Sequence, residues 1–275
     1  MKLHVAATLA LALAVAACGG TSPGTTSVEG HGGGAATAQV TAPPAGLANF
    51  NYTYYRKYIN ASGVPIVAAA TVSDAALLKM KLIVDTMLMK DAATRTQLVA
   101  RLQRVLIIPR GQGMTTLPEY VNLDQLFPLG GGQTWNDRAQ GIGWTATIPY
   151  VSCSEANLLH SGAPDDRYTN ESICIHEFGH AVWEAGVVFR DATAQARLDA
   201  AFNAAKQRGF LGTTYAGTAS REYWAEGVQG WFNAGSCTNT PTCDQTRLYN
   251  TDRTLWNEVG KWFYAPYELA TQIYP

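Results

Sequence analysis

The spacing of apolar positions changes character several times along this 275-residue chain. From Ser73 to Lys90, Leu77, Leu78, Met80, Ile83, Val84, Met87 and Leu88 fall at helical intervals. That spacing predicts an amphipathic helix whose methionines pack into a core. A second helix is expected over Ala92 to Arg101. Arg104 to Pro109 reads differently, because Val105-Leu106-Ile107-Ile108 is an unbroken apolar run closed by proline. That is the pattern of a buried strand. Gly111 to Arg138, punctuated by Gly130-Gly131-Gly132, is expected to be a long loop of the kind that carries function. Gly141 to Val151 has strand character, and Pro149 confines that part to an edge or a strand end.

Asn170 to Trp183 returns to helical spacing, with Ile175, Phe178 and Val182 as its apolar stripe. Asn170 suits the N-cap and Glu171 the first turn. Gly179 costs such a helix about 1 kcal/mol against alanine, so a strand or a ligand is expected close to its backbone. Two further helices are predicted. One runs over about Asp191 to Arg208, with Ala194, Leu198, Phe202 and Ala205 on one face, and the other over about Ala219 to Asn233.

Chemistry enters at His176-Glu177-Phe178-Gly179-His180, an H-E-x-x-H sequence inside the predicted helix. Two imidazoles four residues apart share one helical face and supply two neutral nitrogen ligands of the kind zinc needs. The carboxylate between them is then poised as a general base. A third ligand is required. Position 183 is Trp and 186 is Gly, so the extended three-histidine version of the motif is excluded. Beyond position 47 the remaining histidine is His160, placed on what reads as a solvated loop. The stronger source is Arg221-Glu222-Tyr223-Trp224-Ala225-Glu226, where two carboxylates stand four apart on an otherwise apolar helix. Like charges so placed repel, more so when buried, unless a cation relieves them. One can hold a metal while the other accepts the N–H of a ligand imidazole.

H-E-x-x-H followed by E-x-x-x-[DE] resembles the gluzincins, such as the thermolysin-like peptidases. Locally the text is closer to the lethal-factor type of catalytic domain, which has H-E-F-G-H, E-F-F-A-E and a tyrosine seven residues before the first Glu of the latter. Here His176 to His180 reads H-E-F-G-H, Glu222 to Glu226 reads E-Y-W-A-E, and Tyr215 stands seven before Glu222. The resemblance is confined to these short segments and the similarly long gap between them. It implies an α+β, zincin-like fold, mainly helical, with a small mixed sheet flanking the H-E-x-x-H helix. It implies one zinc ion on His176, His180 and Glu222, Glu226 orienting a histidine, and Glu177 as base. By the same resemblance the Tyr215 hydroxyl stabilises the oxyanion, and the substrate is a peptide or protein. An edge strand beside the motif helix would align such a peptide through main-chain hydrogen bonds. The rival expectation is a surface lipoprotein that binds zinc for adhesion or ligand capture without turnover; the intact Glu177 speaks against it.

The N-terminus has a separate role. Lys2 precedes an apolar run from Val5 to Ala17, too short for a membrane span and ending Val15-Ala16-Ala17-Cys18. Residues 1–18 therefore read as an export signal with a lipobox, Cys18 being lipidated; the alternative is simple cleavage after Ala14-Val15-Ala16. Residues 19–46, rich in Gly, Ser, Thr and Pro, are expected to form a disordered tether before a catalytic domain over 47–275. Of five cysteines, Cys18 leaves Cys153, Cys174, Cys237 and Cys243 for two disulfides. The expected pairs are Cys153 with Cys174 and Cys237 with Cys243, with the other two connectivities open. An exported, membrane-anchored, monomeric protein of the bacterial cell envelope follows, leaning to the outer membrane in a Gram-negative cell because Gly19 follows the lipobox. Charged residues make up 15% of the chain and the net charge is −1, which gives nucleic acid nothing to hold.

Overall fold

The computed structural model describes residues 38–264 apart from 161, 163 and 239. The export signal, Cys18, His31 and tether residues 19–37 lie outside the described residues, as do 265–275. Among the described residues no helix is long and apolar enough to cross a membrane.

The described residues form an α+β fold around a five-stranded mixed sheet, whose strands lie side by side in the order β1 (Tyr55–Ala61), β2 (Val64–Ala69), β3 (Arg104–Ile108), β5 (Tyr150–Ser154) and β4 (Gly141–Ile142). Strands β1 (Tyr55–Ala61) and β2 (Val64–Ala69) form an antiparallel hairpin. Ser62 and Gly63 turn it, both at positive φ (50° and 95°), as the twist of a two-residue hairpin loop requires. Helices α1 (Asp74–Met87) and α2 (Ala92–Val99) then carry the chain to β3 (Arg104–Ile108), which runs parallel to β2. Ser73 caps α1 and Asp91 caps α2, each accepting backbone N–H groups of the first turn.

Strand β3 is buried along its whole length. Val105 and Ile107 face the main core under the helices, while Leu106 and Ile108 join Tyr55, Val67, Met114 and Leu117 on the opposite sheet face. Burial on both faces explains why its sequence is a continuous apolar run rather than an alternation. The expected long loop contains short turns of helix, notably α3 (Leu123–Leu126) and α4 (Trp135–Arg138). The single strand expected over 141–151 is two: β4 (Gly141–Ile142) on the edge, antiparallel to β5 (Tyr150–Ser154). Pro149 lies between them, in the return, where no ladder N–H is needed.

Helix α5 (Glu155–Leu159) leads to α6 (Ile173–Ala181), which carries the motif. Its cap is Ser172, which accepts the Ile175 N–H, not Asn170 as the sequence implies. Past Ala181 the helix widens into a π-helical stretch, Val182–Val187, before ending in α7 (Val188–Arg190). Helices α8 (Ala194–Gln207), α9 (Ser220–Trp231), α10 (Gln245–Thr251) and α11 (Arg253–Trp262) complete the fold. Disulfides join Cys153 of β5 to Cys174 of α6, and Cys237 to Cys243. The first ties the sheet to the motif helix two residues before His176.

Thr41, within the segment expected to be tether, exchanges both backbone hydrogen bonds with Tyr58 and so extends the edge of β1. The unpaired edge of β1 offers a partner for these groups, which is reason enough for the chain to join the sheet there.

Candidate metal centre

Two helices and one edge strand build the site. Helix α6 packs across α9 with Gly179 against Val228, where an added Cβ would come within 3.3 Å of a valine methyl. The Trp224 indole N–H donates to the Gly179 carbonyl at 2.9 Å. The neighbour that Gly179 admits is therefore a helix, neither a strand nor a ligand. On the other side, Gly143 just beyond β4 faces His180 so closely that a Cβ there would lie 2.7 Å from the His180 Cβ. Gly141 leaves comparable room for the Glu177 side chain.

This packing brings His176, His180 and Glu222 together. His176 Nε2 lies 3.1 Å and His180 Nε2 3.2 Å from Glu222 Oε2, and the two nitrogens are 3.2 Å apart. His176 Nδ1 meets Gln229 Oε1 at 2.8 Å. The Gln229 amide has a fixed sense, because its Nε2 donates to the Ser172 carbonyl at 3.1 Å and to Glu171 at 3.2 Å. Its oxygen thus accepts from Nδ1–H, so that in the neutral ring the lone pair of His176 is on Nε2. With a lone pair on each Nε2, as in the metal-binding form of the rings, the two imidazoles and the carboxylate oxygen converging at such distances repel unless a cation lies among them. Donors about 2.0–2.2 Å from a tetrahedral zinc ion stand roughly 3.3–3.5 Å from one another, close to the triangle observed. The residues fit the metal.

The charges around the triangle agree. Burial would lower the pKa of His176, but the carboxylates of Glu222, Glu177 and Glu226 outweigh it and push it up to about 10, so this point attracts a positive charge. Burial brings His180 down to about 4, which leaves it neutral, the form that binds metal. Glu222 is held well below the usual carboxylate range; burial raises it, and its bonds with the two imidazoles more than offset that.

The structure redistributes one expected role. Glu226 Oε1 is 4.0 Å from His176 Nδ1, beyond hydrogen-bond reach, and the acceptor for that N–H is Gln229. Glu226 accepts from Thr240 instead, at 3.2 Å. A signal for Gln229 was available: it sits seven residues after Glu222, on the same face of α9, as a fully buried amide. His160 is not brought to the centre. It ends α5 at φ 40°, largely buried rather than solvated, with Nδ1 3.5 Å from Asp166. Cys237, Cys243 and Asp244 also cluster, but both sulfurs are committed to their disulfide.

A cleft of about 800 Å³ opens over the triangle. Glu177 lies in it beside His176 and His180, and burial followed by the Glu222 charge pushes its carboxyl up to about 7 against the pull of His176. Tyr215, in the short turn Tyr215–Gly217, lines the facing wall with its ring 6.0 Å from that of His176. Burial, then Glu222 and Glu177, raise its hydroxyl to about 12, so it is a proton donor at neutral pH. The Arg138 guanidinium, 5.7 Å from the Tyr215 ring centre, covers it from the rim. Gly141 and Ile142 of β4 also line the cleft.

No protein-family model and no curated protein sequence matches the chain. Among solved structures it is similar to the Pro-Pro endopeptidase of Paenibacillus alvei at 18% identity. That likeness covers 72% of this chain and 97% of the other, with a TM-score of 0.49, a level that does not by itself establish a shared activity.

Proposed function

We propose that this protein is a zinc-dependent metallopeptidase with a centre of the gluzincin type. The observation that carries the reading is the trio of converging metal-ligand atoms on His176, His180 and Glu222, with Glu177 beside them in an open cleft. A zinc ion held there supplies an acidified water and polarises the scissile carbonyl. The protein's own residues do the rest. Glu177 accepts the proton of the attacking water and returns it to the leaving amine, work suited to a carboxyl tuned near neutrality. The Tyr215 hydroxyl donates to the carbonyl oxygen as it gains charge. Gln229 holds His176 in the tautomer that leaves Nε2 free. The edge strand β4, which lines the cleft, offers its backbone to an extended peptide.

The decisive experiment pairs a zinc assay on the purified protein with a mixed peptide library incubated with and without a chelator. Stoichiometric zinc and chelator-sensitive cleavage are expected. Zinc without any cleavage would leave the non-catalytic surface-protein reading, and no zinc would remove both.

We further propose that the enzyme is exported and held to the cell envelope by a lipid on Cys18. Palmitate labelling of the expressed protein should be lost in Cys18→Ser; labelling that persists would overturn the anchor.

A further inference from the structure

Glu184 has no part in the proposed chemistry, yet it is a largely buried carboxyl one turn beyond His180. Its carboxylate pairs with Arg221: Oε2 accepts from Nη2 at 3.4 Å, and Oε1 lies 3.1 Å from Nε in ion-pair contact outside hydrogen-bond geometry. The same Arg221 Nε lies 3.7 Å from Glu222 Oε1, whereas Glu222 Oε2 points into the metal triangle. The two oxygens of Glu222 are thereby divided, one facing the imidazoles and one facing a guanidinium anchored on another helix. Glu184 lies inside the π-helical stretch Val182–Val187, where the helix widens by one residue per turn. Such insertions change which way the following side chains point and recur at functional sites.

We propose that Glu184 and Arg221 form a clamp that positions Glu222 as a single-oxygen metal ligand. Arg221 occupies the space beside Glu222 Oε1 and keeps that oxygen from turning toward the ion. Glu184 fixes the planar guanidinium fork, which a flexible ammonium would not reproduce. The clamp reverses a simple electrostatic expectation. A cation beside the metal should weaken metal binding, so Arg221→Ala would tighten it if charge alone mattered. A positioning role predicts the opposite sign.

The inference rests on the metal-site reading above, and the test keeps the two apart. Zinc affinity of the full chain, read by competition with a chromogenic chelator, needs no substrate. Arg221→Ala and Glu184→Ala are each expected to weaken zinc binding about 10–100-fold, as for other outer partners of metal ligands. The double variant should be no weaker than Arg221→Ala, because Glu184 acts through the arginine. Glu184→Gln, which keeps the side-chain volume and so guards against misfolding, should fall in between, and Arg221→Lys should recover only part of the loss. The visible absorption of the cobalt-substituted protein should weaken in Arg221→Ala, as a second Glu222 oxygen raises the coordination number. Unchanged or tighter zinc binding in Arg221→Ala, with wild type binding one ion, would overturn the clamp and leave the metal site standing. A wild-type chain that takes up no zinc would overturn both.

Discussion

Glu177→Gln should retain one zinc per chain and lose peptide hydrolysis by about a thousandfold, within the range expected for removing a general base. The substitution preserves volume and removes only the ability to take a proton. Zinc should stay because Glu177 is not among the three atoms that converge: the triangle consists of His176, His180 and Glu222. The pH profile supplies an independent mark. Burial and the neighbouring Glu222 raise the Glu177 carboxyl to about 7. Below its pKa the group is protonated and cannot act as a base, so kcat/KM should fall as pH drops through that region. A bound cation favours the carboxylate and so moves the midpoint downward. The residual activity of Glu177→Gln should have lost this acid limb. The same raised pKa means that folding disfavours the charged form, a penalty felt above the unfolded-state value and growing up to the folded one. The metal-free variant should accordingly melt higher than metal-free wild type at pH 8. An acid limb that survives unchanged in Glu177→Gln would assign the titration to another group.

Much of the candidate metal centre was legible because its converging residues obey local rules. His176 and His180 are related by one helical turn; Glu222 and Glu226 stood out as paired carboxylates among the aromatic and apolar residues of α9, and the gluzincin resemblance singled out Glu222. Strand β3 was equally plain, since burial on both faces left no polar position in Val105 to Ile108. The observed cysteine pairing is the one the short separation of Cys237 and Cys243 favoured, while the other two connectivities stayed open in the sequence. What was hidden depends on how elements sit against one another. The hairpin β1–β2 is masked by an irregular register between Tyr55 and Lys57, which breaks the alternation a strand would show. The choice of Gln229 over Glu226 turns on how α9 sits against α6, where Gly179 packs on Val228. In an isolated straight helix both side chains face the same way, so spacing alone does not separate them. The π-helical stretch has no counterpart in hydrophobic period either, although it places Glu184 beside Arg221. Helices α10 and α11, which were not predicted from the sequence, share Asp252, which closes one and caps the other.

Glu222→Ala should behave differently from Glu177→Gln, with zinc and hydrolysis lost together. Two imidazoles alone make a poor site for zinc, and the loss should exceed the roughly 10–100-fold that removal of an outer partner costs. The fold itself should survive. Glu222 contributes no core packing, and α6 and α9 remain joined through Val228 at Gly179, the Trp224 indole and Gln229. Circular dichroism of the metal-free variant should therefore match that of metal-free wild type, separating loss of the ligand from loss of the structure. Among the described residues no other is placed to substitute. His160 sits beside Asp166 at the end of α5. Glu226 approaches His176 from the Nδ1 side, at 4.0 Å, and that nitrogen is already committed to Gln229. A carboxylate arriving from that direction cannot join a centre defined by the two Nε2 atoms without turning His176 over and breaking the Gln229 bond. Full zinc occupancy in Glu222→Ala would consequently require that rearrangement, and a further Gln229→Ala substitution would then leave the affinity unaltered instead of lowering it.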